Sequence, residues 1–206
     1  VIIQSIGINH ENISWRSLQR AKEGSGPESP QSVPAYVNNE LSVFGKQLSE
    51  TERDTLIRKF SKIRFDRISP FNAIPENLVL PYTHNTISFD FVCIETTKPF
   101  LVQYQFMLEG KDKQWSPLSQ KTVAEYANLG QGKYTFKLQA KSPDGIWSEP
   151  IGYSFKILPP WWFTWWAFLL YISLFFLALF GVRRYEMNRI LLRNQLKLEK
   201  VTTDSL

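Results

Sequence analysis

The residues of this 206-residue chain that could do covalent or acid–base chemistry are few and scattered. There are two histidines, His10 and His84, and one cysteine, Cys93. No two histidines stand four apart, and a lone cysteine supports neither a disulfide framework nor a multi-cysteine zinc site. Cys93 lies on the apolar side of an alternating segment and reads as a buried, inert thiol. Gly130-x-Gly132 sits between two strand patterns, with no following helix to present N–H groups to a phosphate. Asp112 and Asp144 occupy turn contexts and read as turn formers, as does His84 in Tyr82-Thr83-His84-Asn85. Serine, histidine and aspartate occur, but no spacing groups them into a triad. No catalytic, cofactor-binding or metal-binding residue is therefore assigned. No cofactor is expected, and no enzymatic activity of the chain itself.

Charge and apolarity are more informative, because both are unevenly placed. The net charge is +5, with 43% hydrophobic and 15% aromatic residues. Between Lys156 and Arg183 run 26 residues without a charge, Ile157 to Val182. From Trp165 to Val182 a helix would rise about 27 Å, close to the thickness of a hydrocarbon core. Only the hydroxyls of Tyr171 and Ser173 interrupt it, and a helix apolar all round for five turns belongs in lipid. We read residues 159–182 as one transmembrane helix. It is too long and too late in the chain for a signal peptide.

Trp161, Trp162, Trp165 and Trp166 form an interfacial belt at one end, pairing as 161/165 and 162/166 if helical. Pro159-Pro160 precedes them. At the other end Arg183 and Arg184 open a basic flank, continued by Arg189, Arg193, Lys197 and Lys200, while the remainder of the chain is nearly neutral. This bias places residues 183–206 in the cytoplasm and residues 1–158 outside. It also removes the case for nucleic acid, since the basic excess sits largely at the membrane.

In the tail, Met187, Leu191, Asn194, Leu198 and Val201 fall at alternating spacings of four and three. They predict a juxtamembrane coiled-coil helix over 183–206. The pattern is still running at Leu206 and the chain lacks an initial Met, so a fragment of a longer polypeptide is expected.

Before the span, four segments alternate with period two: Ile87–Cys93, Val102–Leu108, Tyr134–Ala140 and Ile151–Ile157. Shorter strands are predicted at Leu78–Pro81 and Lys121–Ala127. Turn residues separate them, at Pro99, Glu109–Asp112, Gly130–Gly132 and Pro143–Gly145. Such a series with no helical stretch predicts a mainly β fold, an immunoglobulin- or fibronectin-III-like sandwich over 78–158. Trp115 and Trp147 are expected to plug the core or its ends. Leu129…Gly132-Lys133-Tyr134 has the form of a tyrosine corner, with the hydroxyl bonding backbone just upstream.

Residues 1–77 read as an N-terminal extension. Val1–Asn9 is a strand, either the end of a preceding propeller or the first strand of the sandwich. Glu23–Pro34 is a flexible loop. Ser49-x-x-Glu52 is a capping box, and Leu56, Phe60 and Ile63 follow at helical spacing, so an amphipathic helix is predicted near 49–63. The charges of Glu50–Lys62 are expected on its solvated face.

The motifs of residues 78–160 also carry a family resemblance. They run Leu80-Pro81-Tyr82-x-x-Asn85-x-Ile87, then Leu108-x-Gly110-x-Asp112-x-x-Trp115. Tyr126-x-Asn128-Leu129-x-x-Gly132-x-Tyr134, Asp144-Gly145-x-Trp147-Ser148 and Pro159-Pro160-Trp161-Trp162 follow. This resembles the three-Tyr (Y_Y_Y) domain of two-component regulator propeller receptors of Bacteroidetes-type bacteria. The three tyrosines map to Tyr104, Tyr126 and Tyr134, with Trp115 and Trp147 as further structural motif residues.

The resemblance implies a β-propeller pair upstream and one helix through the inner membrane. It also implies a cytoplasmic output module, most often a histidine kinase, and a role in sensing, often of glycans in hybrid members. The expected partners are the bilayer, a second copy of the chain, and the propeller and kinase domains of the same polypeptide. The expected function is to relay motion or dimerisation from a periplasmic sensor to that output domain. The competing expectation is a membrane-anchored stalk or binding module without signalling output. Reading the gene past Leu206 separates the two.

Overall fold

The computed structural model describes residues 1–23 and 34–203, with the backbone alone for 191–203. The flexible loop expected at Glu23–Pro34 falls almost wholly outside the described residues, as do the seam side chains from Leu191 on. The chain divides into two units, Val1–Pro159 and Pro160–Leu206.

In the first unit the period-two segments become strands because alternate side chains need burial on one face only. One sheet is ordered β1 (Ile2–Ile8), β3 (Ile87–Val92), β5 (Val123–Tyr126). The other is ordered β2 (Leu78–Leu80), β7 (Ile151–Ile157), β6 (Gly132–Lys141), β4 (Gln103–Glu109). All pairs are antiparallel except β2 with β7. Ile87, Phe89 and Phe91 of β3 face Phe136 and Leu138 of β6 across the core, all of them fully buried. The rings of Phe89 and Phe136 stack at 4.1 Å, almost parallel. This is the immunoglobulin-like sandwich that the alternation predicts.

The sandwich has two distinct ends. Ile2 pairs with Val92, and Gln103 with Lys141, at one end. Gly132 pairs with Ile157, and Ile157 with Leu80, at the other. The first strand thus belongs to the sandwich: β1 lies along β3, and the propeller alternative for Val1–Asn9 falls away.

Between β1 and β2 the chain builds a helical layer that the sequence pattern shows only in part. It contains α1 (Trp15–Glu23), α2 (Ala35–Phe44) and α3 (Glu50–Phe60). In α3, Ser49 and Glu52 form the reciprocal capping box, at 3.3 Å and 2.9 Å. The helix stops at Phe60, and Ile63 is buried from the turn that follows. The Trp15 indole N–H donates to the Ile6 carbonyl at 2.9 Å, fastening α1 to β1. Trp15, Leu18, Phe60 and Ile63 join the same hydrophobic core as the sandwich.

One expectation about this layer is corrected. Arg53 does not lie on a solvated face. It forks onto the fully buried Glu40 of α2, Nε to Oε1 at 2.7 Å and NH2 to Oε2 at 3.0 Å. Ser17 Oγ and the Leu48 N–H also donate to that carboxylate, at 2.8 and 3.1 Å. A buried carboxylate draws such donors inward because an unpaired one is too costly.

The second unit holds α4 (Trp165–Thr203), 39 residues without a break. Among the described residues it is the one helix long and apolar enough to cross a membrane. Its flanks are open: Phe175, Phe176 and Leu177 are each more than 60% exposed, as lipid-facing side chains would be.

Candidate functional site

Among the described residues no group of three or more His, Cys, Asp or Glu could hold a metal ion; the candidate site is the tyrosine framework and the junction leading into α4. Each of the three motif tyrosines is buried and ends in a hydrogen bond. Tyr104, in β4, accepts the Cys93 N–H at 3.0 Å while its ring meets Phe91 edge-on at 5.2 Å. Tyr126, at the end of β5, donates to Asp112 Oδ2 at 2.9 Å. Burial first, and then the Asp112 carboxylate beside it, pushes the Tyr126 hydroxyl well above its ordinary pKa. The same Oδ2 accepts the Leu108 N–H at 2.8 Å, so Asp112 closes its turn, as its position in the sequence suggested.

Tyr134 donates to the Gly130 carbonyl at 3.0 Å, which is the expected tyrosine corner. Its ring stacks on Phe155 at 5.6 Å. Gly110, at φ +97°, lies under that ring; a Cβ there would stand 2.9 Å from Tyr134 Cδ1. Glycine is required both for the backbone angle and for the close approach. Removing only the hydroxyl, Tyr134→Phe, should cost about 0.5–1.5 kcal/mol, read by urea unfolding of the full chain in micelles. A cost near zero would show that the corner does not hold the 127–131 loop.

A fourth tyrosine was not singled out from the sequence. The buried Tyr153 of β7 donates to the Pro75 carbonyl at 2.7 Å, tying the strand before the membrane to the segment before β2. The signal was present in its apolar register, but nothing in the pattern named its partner.

Other residues sit differently from expectation. Trp147 is 42% exposed, with the Lys141 ammonium 5.7 Å from its ring centre, and Trp115 is half-buried. Neither belongs to the buried core, which leaves only the ends of the sandwich for them. Cys93 is half-buried against the core rim, one residue beyond β3. His84, by contrast, is the turn residue expected, its N–H bonded to the Pro81 carbonyl at 2.9 Å; it is buried, its ring 5.6 Å from that of Phe60, and burial leads the causes that lower its pKa.

The junction is short. Leu158 N–H bonds the Leu80 carbonyl at 2.9 Å, so the β2–β7 pairing continues to the residue before Pro159-Pro160. Trp161–Phe163 then form a separate 3₁₀ turn, and Thr164 is extended, at φ −91° and ψ 153°. The tryptophans are therefore not one helical run. Trp161 stacks on Trp166 at 6.3 Å and meets Trp162 edge-on at 5.6 Å. Thr164 explains the break: it has the extended backbone of an N-cap, and its carbonyl accepts the Phe168 N–H at 3.3 Å. Arg183 and Arg184 lie within α4, about five turns before its end.

Comparison with known proteins gives several likenesses. The Y_Y_Y domain family matches residues 95–158. A histidine kinase, P4, of Formosa agariphila is 27% identical over 130 residues, 63% of this chain and 9% of that protein. The extracellular domain of a one component system of B. thetaiotaomicron is similar over 78% of this chain and 15% of its own, at 20% identity and TM-score 0.44. That of a hybrid two component system of the same organism covers 47% and 14%, at 21% and TM-score 0.37. The chain thus spans about a tenth of the curated relative it matches. The stretch matched by the Y_Y_Y domain family, 95–158, is the part of the sandwich that holds the three buried tyrosines.

Proposed function

We propose that this chain is the segment of a transmembrane signalling receptor that couples a periplasmic sensor to its membrane helix. In this reading residues 1–158 are periplasmic, 159–182 cross the bacterial inner membrane once, and 183–206 enter the cytoplasm. Trp161, Trp162, Trp165 and Trp166 set the height of the helix, and Arg183 and Arg184 fix its inner end. An upstream propeller and a downstream histidine kinase of the same polypeptide supply input and output, and the tail pairs two copies. Residues 1–77 extend the sandwich domain of 78–158.

The observation that carries this reading is the joint. The Leu158 N–H is held by Leu80, and two prolines then lead into a turn and an unbroken 39-residue helix. Proline restricts the backbone, so few soft torsions separate the last strand from the span. Displacement of the sandwich is then passed on rather than absorbed. Inserting Gly-Ser-Gly-Ser between Leu158 and Pro159 of the full-length receptor should reduce stimulated output to the unstimulated level. Membrane insertion, scored by resistance to carbonate extraction, should be unchanged. Undiminished output would sink the proposal.

A further inference from the structure

On the outer face of the second sheet, Lys133 of β6 and Lys156 of β7 stand directly opposite each other in the antiparallel register. The neighbouring register pair on the same face is Thr135 with Ser154, their hydroxyls 3.0 Å apart. Both lysines are exposed, and among the described residues neither makes an ion pair. Two carboxylates on neighbouring segments are engaged elsewhere. Glu109, across from Thr135, pairs with Lys137, and Asp66 accepts from the Asn77 amide at 2.6 Å. On the far side of β7, Val79 follows Lys156 in register, and the exposed Arg64 bridges Val79. Three cations thus share one row across the sheet, over a shallow groove of about 310 Å³.

Like charges placed directly opposite on a sheet repel. An anion lodged between them reverses the sign of that interaction, and two hydroxyl donors beside two ammonium groups suit a phosphate. The position in the chain indicates which phosphate. Four residues separate Lys156 from Trp161, less than about 20 Å even when fully extended. Tryptophan belts lie at the level of lipid headgroups. We propose that Lys133, Lys156, Thr135 and Ser154 form a docking surface for the phosphodiester headgroup of an anionic phospholipid in the facing leaflet. Arg64 extends its positive field. This contact rests on the membrane reading of α4, and it holds the exit end of the sandwich against the bilayer.

The test uses the full chain in nanodiscs of phosphatidylcholine, alone or mixed with phosphatidylglycerol. Rates of amine acetylation are read per lysine by mass spectrometry. Lys133 and Lys156 should label roughly fivefold more slowly in the anionic discs, as expected for lysines at a charged membrane surface. High salt should restore the rate. Lys98 and Lys121, at the opposite end of the sandwich, should label equally in both. Equal labelling of Lys133 and Lys156 in the two lipids overturns the proposal. So does equal slowing by inorganic phosphate in phosphatidylcholine discs, which would mark a soluble-anion site. Entry into discs is scored separately by co-elution, and the K133Q/K156Q chain must still enter. Failure of the unmodified chain to enter overturns the membrane reading, and the headgroup contact with it.

Discussion

Arg53→Ala should destabilise the helical layer by about 3–5 kcal/mol, because it strands a buried carboxylate without its counter-charge. Glu40 is wholly inaccessible to solvent, and the guanidinium supplies two of its four hydrogen bonds. The loss should appear as faster amide exchange through α1, α2 and α3 in the full chain. Exchange within β6 and β7 should change less, since the two lie further from the cut. Replacing both partners, Glu40→Met with Arg53→Met, should recover most of the loss, because an apolar pair of similar volume has no charge to bury. An R53A chain whose helices exchange at the unmodified rate would contradict this.

The same carboxylate sets an acid limit. Burial alone would raise the Glu40 pKa; the hydrogen bonds from Arg53, Ser17 and the Leu48 N–H more than offset it, and the folded value lies below the ordinary 4.5. A lowered folded value means that stability is fully present above the ordinary value. It is then lost as pH falls from about 4.5 through the depressed folded value. The helices should therefore loosen in acid in the unmodified chain, and the double methionine variant should lack that step.

Phe89→Ala should cost about 3–5 kcal/mol, a large part of the stability of a domain this size. Phe89 is fully buried, stacks on Phe136 at 4.1 Å, and reaches Tyr153 and Phe155 at about 6 Å. The cavity would open between the two sheets, where no neighbour can close it without leaving its own contacts. Thermal unfolding followed by near-ultraviolet dichroism reads the effect, with Phe71→Ala as control. Phe71 is 94% exposed, and its loss should be within about 0.5 kcal/mol of neutral. Equal effects at the two positions would mean that the stacked core is not where the fold is held.

The contrast between those two residues also marks what was legible in the sequence. Strands β3, β4, β6 and β7 carry their burial in a period of two, so both their existence and their inner faces can be read directly. The tyrosine corner was legible because donor and acceptor lie four residues apart. Long-range partners were not. Val1–Asn9 reads as a strand, but nothing local says that its ladder runs along residues 87–92. Helices α1 and α2 were missed for a related reason. Ser17 and Glu40 lie on their buried faces, so each buried stripe includes a polar residue, and the helices are only nine and ten residues long. Arg53 looked like solvent-facing charge for the same reason, since burial of an ion is explained only by a partner 13 residues away. In α2 the punctuation survives: Pro34 precedes it, and Gly45, at φ +69°, ends it with an N–H bonded to the Leu41 carbonyl. At the junction, the four tryptophans were legible as a cluster, but their pairing turned on Thr164, whose cap competes with a continuous helix.

The placement of the first and last strands has a mechanical consequence. Chain entry at Ile2 and exit at Ile157 lie at opposite ends of the sandwich, so tension between them runs along the strands. Ladder hydrogen bonds stand across that direction, and a pull along β1 strains all its bonds to β3 together rather than peeling them one by one. β7 is gripped on both flanks, by β6 on one side and by the parallel β2 on the other, up to Leu158. A sandwich loaded in this way bears tension in shear, its ladder hydrogen bonds sharing the load.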